Sequence, residues 1–291
     1  MVNDPALPGA PVLLDRDAAA ALLRPAVEAG GGGLEEITPH HARYQQGRRL
    51  AVRYGVRTSW PDGRRTTETY AALIDVEDLP PGIAVLHDGA GTRIGVWAYP
   101  YDPFLPGLPA AAAPASVRRL LTELGAQDGP VRITPRVYRP TSRAVLAVTG
   151  VGGSCYLKVV RPDRAEALHA LHETLSGHLP IPASYGCAGR QGIVVLEALR
   201  GEPLGAALSR GAPVPSPADL LDLLDRVADV PATDGQAAPP NDTFADHAAT
   251  MARLLPSETS RATAIAAAAA GEWVPDRTVH GDFYEAQVLV E

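Results

Sequence analysis

Tyr138-Arg139-Pro140-Thr141-Ser142-Arg143-Ala144-Val145-Leu146-Ala147-Val148 repeats, at an offset of 94 residues, the pattern of Tyr44-Gln45-Gln46-Gly47-Arg48-Arg49-Leu50-Ala51-Val52-Arg53-Tyr54. In each copy a polar turn leads into an apolar, β-branched run, the signature of strand, turn, strand. Ile37-Thr38-Pro39 precedes the first copy and Ile133-Thr134-Pro135 the second. Each copy is followed by another turn and another strand. Trp60-Pro61-Asp62-Gly63 leads to Glu68-Thr69-Tyr70-Ala71-Ala72-Leu73-Ile74, and Gly150-Val151-Gly152-Gly153 leads to Ser154-Cys155-Tyr156-Leu157-Lys158-Val159-Val160. Two antiparallel β units are expected, with Ala72 of the first about where the second carries Lys158.

Outside the repeat, Gly95–Pro100 starts as a strand and the Pro-rich stretch from Pro103 to Pro114 reads as a connector. Ser116 is placed to cap a short helix carrying Val117, Leu120, Leu121 and Leu124, which Gly125 ends. Asp163 to Leu175 has helical spacing, with Leu168, Leu171 and Leu175 on one stripe. Gly192–Glu197 reads as a buried strand; helices are expected over Pro217–Val230, Phe244–Leu255 and Ser257–Ala270. Strands first and helices later give an α+β chain with two lobes. The divisions fall at 1–115, 116–200 and 201–291.

The chain has 291 residues, 46% of them hydrophobic and 20% charged, ordinary usage for a folded protein with a substantial core. A net charge of -7 argues against nucleic acid as a partner, because neutralising phosphates along a duplex needs an extended basic face. No apolar run is long enough to span a bilayer and no basic segment leads into an apolar one at the start, so no membrane partner and a cytoplasmic location are expected. Cys155 and Cys187 are too few for a disulfide framework and read as small buried side chains.

Of the 26 basic residues, 25 are arginine; the single lysine is Lys158. It lies inside an apolar strand, where a lone ammonium is costly to bury without an anionic partner. Near the end stands Thr278-Val279-His280-Gly281-Asp282-Phe283-Tyr284-Glu285-Ala286-Gln287-Val288-Leu289-Val290, a His-Gly-Asp turn followed by an apolar strand, with an amide side chain five positions after the aspartate. Phosphoryl transfer needs a carboxylate beside the acceptor hydroxyl, metal held on the phosphates and a cation on the phosphates, and a strand lysine, an aspartate and a loop amide supply these parts in order.

With those residues the chain resembles the aminoglycoside phosphotransferase and choline kinase-like branch of the protein-kinase fold, whose loop reads His-Gly-Asp, four residues, Asn. It looks closest to actinobacterial phosphotransferases and maltokinases, where Gln can stand in the Asn place. The resemblance covers roughly 130–291, and residues 1–115 resemble the β-rich cap that some of these kinases carry. It implies a kinase-like N-lobe over 116–200 and a partial helical C-lobe over 201–291. It also implies an ATP- and Mg2+-dependent enzyme that phosphorylates a hydroxyl of a small polar acceptor, an aminoglycoside or a sugar. By the same resemblance Asp282 is the catalytic base, His280 orients the loop and Lys158 binds the nucleotide phosphates. Glu197, Ala198 and Leu199 fall at the adenine-contacting hinge, and Gln287 is a metal ligand. The helix glutamate that faces the lysine is Glu173, with Glu166 the alternative.

The family's second metal ligand, an aspartate on a return strand, would fall beyond Glu291, as would helices that close the lobe. Weak activity, uncovered apolar stripes and self-association are therefore expected of these 291 residues, and a non-catalytic nucleotide- or ligand-binding remnant is the alternative. Gly150, Gly152 and Gly153 read as a hairpin turn, because no Lys-Ser or Lys-Thr follows them. His169, His172 and Glu173 read as a polar helix face, and His40 and His41 as strand neighbours pointing to opposite faces.

Overall fold

The computed structural model describes residues 4–230, 244–269 and 278–291. In chain order the elements are α1 (Ala10–Leu14), α2 (Arg16–Ala29), β1 (Gly33–Gln45), β2 (Arg49–Ser59), β3 (Arg65–Asp75), β4 (Ala84–His87), β5 (Arg93–Ala98), α3 (Leu108–Ala111) and α4 (Pro114–Glu123). They continue with β6 (Val131–Arg139), β7 (Arg143–Gly150), β8 (Gly153–Val160), α5 (Pro162–Ser176), β9 (Ser184–Ala188), β10 (Ile193–Glu197), β11 (Glu202–Pro203), α6 (Leu204–Arg210), α7 (Pro217–Ala228), α8 (Phe244–Leu254), α9 (Thr259–Ala269) and β12 (Leu289–Val290). The chain is α+β. The last residue of the helix expected over Ser257–Ala270, Ala270, lies outside the described residues. Two compact units result, Met1–Leu168 with Tyr185–Leu196, and His169–Ser184 with Glu197–Glu291.

The first unit holds two five-stranded sheets, ordered β1-β2-β3-β5-β4 and β6-β7-β8-β10-β9, the same order taken twice. The first hairpins also share their register: Tyr44 faces Leu50 and Tyr138 faces Ala144, each pair offset by the repeat. In both sheets the register shifts just after Ile-Thr-Pro, between Pro39 and His41 and between Pro135 and Val137. A proline has no N–H to give to the ladder, so a bulge is where a strand tolerates it.

Strand alternation sends one face of each sheet to a helical cover. In the first sheet Leu50, Val52, Tyr54, Val56, Ala72, Ile74, Ile94 and Val96 pack under α1 and α2, and the Tyr54 hydroxyl donates to Leu13 O at 2.5 Å. In the second, Ala144, Leu146, Val148, Cys155, Leu157, Val159, Ile193 and Val195 pack with Leu108, Ala111, Val117 and Leu121 of α3 and α4. Cys155 is buried as expected and burial raises its thiol to about 11; Cys187 is half-buried. Ser116 is not the cap of α4. That helix begins at Pro114 after an extended Ala113, and Pro at the first turn needs no N–H acceptor.

The stretch from Pro103 to Pro114 is more than a connector. Leu105, Leu108 and Ala111 in it are fully buried, and next to it Asp102 is 2% exposed. The Asp102 carboxylate accepts from the Tyr138 hydroxyl (2.9 Å), Thr141 N (2.9 Å) and Phe104 N (2.9 Å), and Trp97 Nε1 donates to the Tyr138 oxygen (2.8 Å). Thr141 has φ 65°, a left-handed conformation that a β-branched residue avoids, and Asp102 holds its N–H there. Burial still outweighs these bonds and raises the Asp102 carboxyl above the usual range. Phe104 lies between two guanidinium groups, those of Arg49 (5.7 Å from the ring centre) and Arg161 (5.1 Å).

The second unit has a smaller core, in which Leu175, Leu179, Ile181, Leu223, Val227 and Val230 pack together. Ser216 caps α7 in a reciprocal capping box with Asp219. Several large apolar side chains of its helices are exposed, among them Leu221, Met251 and Ile265. Among the described residues no helix is long and apolar enough to cross a membrane.

Candidate functional site: a strand lysine and a His-Gly-Asp loop

Lys158 stands on β8, the third strand of its sheet, opposite Val145 on β7. Because Ala51 and Val145 are equivalent by the repeat, the residue of the first sheet at this place is Leu73, the partner of Ala51, and not Ala72. Unequal turns between the second and third strands cause the one-residue slip. Leu73 is fully buried in a small apolar cluster with Ala51, Ala71 and Trp97, closed by Leu79, Ile83 and Phe104. On the matching face of the second sheet the cover is α5, whose Ala165 and Leu168 pack on Val160, Val194, Leu196 and Tyr156.

A second exchange accompanies the first. Arg49 is equivalent to Arg143. Across the ladder from Arg49 lies Asp75, and the two form an ion pair of 2.5 Å with side chains 12% and 1% exposed. Across from Arg143 lies Val160. The first sheet thus carries an ion pair beside a leucine, and at the equivalent ladder positions the second carries Arg143 opposite Val160, beside Lys158. Burial, and then the Arg143 guanidinium, hold the Lys158 ammonium below the usual lysine range. Within its own unit, no ion-pair partner for Lys158 is found among the described residues. Sequence reading found the lysine and missed the arginine, although the repeat itself pairs Arg143 with Arg49.

The two helix glutamates behave differently. Glu166 lies over the β9–β10 turn, where a Cβ on Gly189 would come within 2.7 Å of its carboxylate oxygen. Glu173 faces His169 one turn back, at 3.5 Å. His169 Nδ1 meets Ser184 Oγ at 2.8 Å and His172 Nδ1 meets Pro182 O at 2.9 Å, so this polar face of α5 ties down the following loop. Glu197 makes two bonds to one residue: its N–H donates to Ala183 O (2.9 Å) and its carboxylate accepts from Ala183 N (3.2 Å). Its side chain therefore serves the backbone, while Ala198 and Leu199 continue as half-buried residues outside any helix or strand.

In the second unit the His-Gly-Asp turn is pinned at both ends and open in the middle. Before it, the Thr278 hydroxyl donates to Val230 O at 2.8 Å. After it, Leu204 N donates to Val288 O at 2.8 Å, and β12 pairs with β11. Gly201 (φ +101°) lets the backbones approach, since a Cβ there would lie 2.6 Å from Val290 O. The apolar strand expected after the turn is only two residues long, preceded by a 3-10 turn over Glu285–Gln287. His280, Asp282 and Gln287 are exposed. His280 Nδ1 accepts from Asp282 N at 3.3 Å, and its ring meets Phe283 edge-on at 5.5 Å. The histidine thus shapes the turn through the Asp282 N–H, and among the described residues no hydrogen bond to the Asp282 carboxylate is found. Among the described residues no group of three His, Cys, Asp or Glu side chains is placed to hold a metal.

No family model matches the sequence, and no curated protein matches it.

Proposed function

We propose that the chain is an ATP-dependent phosphotransferase of protein-kinase-like fold, acting in the cytoplasm on a hydroxyl of a small polar molecule such as an aminoglycoside or a sugar. The observation that carries this reading is the exchange between duplicate sheets, with Lys158 in the place of Leu73 and Val160 in the place of Asp75. A cation on the third strand, followed by a helix, is where protein kinases keep the lysine that holds nucleotide phosphates. An ammonium kept below its usual range and beside a second cation gains most from an incoming polyanion.

Asp282 is assigned to the acceptor. Its carboxylate orients the hydroxyl and takes its proton as the acceptor oxygen bonds to the γ-phosphorus, while the bond from that phosphorus to the β,γ-bridging oxygen breaks and ADP departs. His280 positions the turn through Asp282 N. Gln287 on this loop offers one amide oxygen that could hold a magnesium ion carried in on the phosphates. When bound, that ion supplies charge neutralisation on the phosphate oxygens. The same sparse set favours a second reading, a nucleotide-binding module without transfer.

The test is a panel of sugars and aminoglycosides with radiolabelled ATP. Asp282→Asn should lower turnover at least ~100-fold with nucleotide affinity unchanged, and Lys158→Met should weaken nucleotide binding. Turnover untouched by Asp282→Asn refutes the base assignment. Lys158-dependent ATP binding with no acceptor phosphorylated selects the second reading.

A further inference from the structure

The bulge after Pro39 changes what the start of the repeat presents. His41 faces Arg53 across the ladder, and paired residues point to the same side. His40, the extra residue, lies over Gly55, where a Cβ would come within 2.6 Å of its Nε2. Gly55 and Arg53 are two apart on β2 and share a face, so both histidines look to the same side, contrary to simple alternation. Arg43 is two residues beyond His41 and faces Ala51. From the second sheet's first hairpin, Tyr138 O accepts from Arg53 Nη1 at 2.9 Å, and Arg139 is the next residue.

Among the described residues no carboxylate is ion-paired to any of these cations. Burial, and then the like charges of Arg139, Arg53 and Arg43, lower the His41 pKa. Around them the carboxylates of β1–β3 are engaged: Asp75 with Arg49, Glu35 with Arg57 and Arg65, Glu36 with Arg16 and Arg57, and Glu68 with the Tyr70 hydroxyl. Arg43 and Arg139 are exposed, and Arg53 Nε is buried without a hydrogen-bond partner. A buried guanidinium N–H without an acceptor is rare enough to call for one.

We propose that His40, His41, Arg43, Arg53 and Arg139 form a second anion site, separate from Lys158, for a compact phosphate-bearing small molecule. Side chains two apart on a strand stand about 7 Å from one another, so the cluster spans a phosphate or short polyphosphate and not a duplex. Arginine forks match phosphate oxygens in pairs, and the half-buried floor of His41 and Arg53 strengthens such bonds. The chain's net charge of -7 removes the long-range attraction that would bring in a nucleic acid. The site does not rest on the phosphotransferase reading.

Calorimetric titration of the whole chain with tripolyphosphate, pyrophosphate and citrate tests it, in the Lys158→Met background so that the strand lysine contributes nothing. We expect one tripolyphosphate bound per chain, with citrate at least ~10-fold weaker because its carboxylates are more widely spaced. Adding Arg43→Gln and Arg139→Gln should weaken tripolyphosphate at least ~10-fold, because two charge-assisted contacts are lost. Both arginines are exposed and, among the described residues, without ion pairs, and a circular-dichroism melt matching the parent verifies the fold. No tripolyphosphate binding in the Lys158→Met chain, binding unchanged by the double substitution, or citrate bound as tightly as tripolyphosphate would each overturn the proposal.

Discussion

The two sheets of the first unit share strand order, hairpin register and a bulge after the same tripeptide, and they differ in how one face is finished. The first closes that face with Leu73, Leu79, Ile83 and Phe104 and neutralises Arg49 with Asp75. The second sets Lys158 and Arg143 there without the aspartate and covers the neighbouring strands with α5. One architecture thus carries an apolar version and a cationic version of itself. What separates the plain sheet from the candidate site here is two positions and one helix, which is why topology alone assigns no chemistry.

The most severe way to break the comparison is to move the lysine. Leu73→Lys places an ammonium in a fully closed apolar cluster whose nearby carboxylate is already committed. It should cost about 3–5 kcal/mol of stability, read as a lower urea midpoint. A loss below about 1 kcal/mol would mean that the first sheet tolerates the charge as the second does, and the asymmetry would vanish.

The reverse exchange, Lys158→Leu, should raise stability by about 1–2 kcal/mol while abolishing tripolyphosphate binding to this strand. Its pH dependence is specific. Lys158 has a folded-state pKa below the unfolded one, so the folded chain releases the proton first. Wild-type stability therefore gains an increment as pH climbs from the depressed value towards about 10.5. The advantage of Lys158→Leu should be greatest at neutral pH and shrink on the alkaline side. An advantage that is flat or grows with pH would show that the lysine is not strained by burial.

The smallest contrast concerns the helices that cover the two sheets. Asp15 caps α2, its carboxylate accepting from Asp17 N (3.0 Å) and Ala18 N (2.9 Å), whereas α4 starts without a side-chain cap. Asp15→Ala should cost about 1 kcal/mol and Ser116→Ala less than about 0.5 kcal/mol in thermal unfolding. Equal costs would restore Ser116 as a cap.

The repeat was legible because its hairpin residues keep both pattern and spacing, and the helices over 162–176 and 217–228 because their leucines recur at helical period. Strands β4 and β9, only four and five residues long, carried too little alternation to be seen. The partner of Lys158 slipped from Leu73 to Ala72 because register depends on turn length, which composition does not reveal. His40 and His41 were misplaced for a related reason, since a bulge cancels the two-residue period on which the facing argument rests. Asp102 was invisible, because a carboxylate beside a Pro-rich stretch reads as solvent-facing until its three donors are assembled around it. At the site, residue types were readable and surroundings were not: nothing local announces that Val160 stands where Asp75 does.

The bonds from Asp102 also join a segment made early in synthesis to one made later. In a chain made from its N-terminus, the first sheet and Asp102 emerge from the ribosome before Tyr138 and Thr141 do. If that sheet folds as it emerges, Trp97 and the Asp102 carboxylate would offer a ready rim for Tyr138 and Thr141 of the next hairpin, to which they are bonded in the folded chain. On that order the older copy in synthesis would serve as an assembly jig for the younger one, and a lesion confined to the chemically plain sheet would be felt also as a failure to build the sheet that carries Lys158.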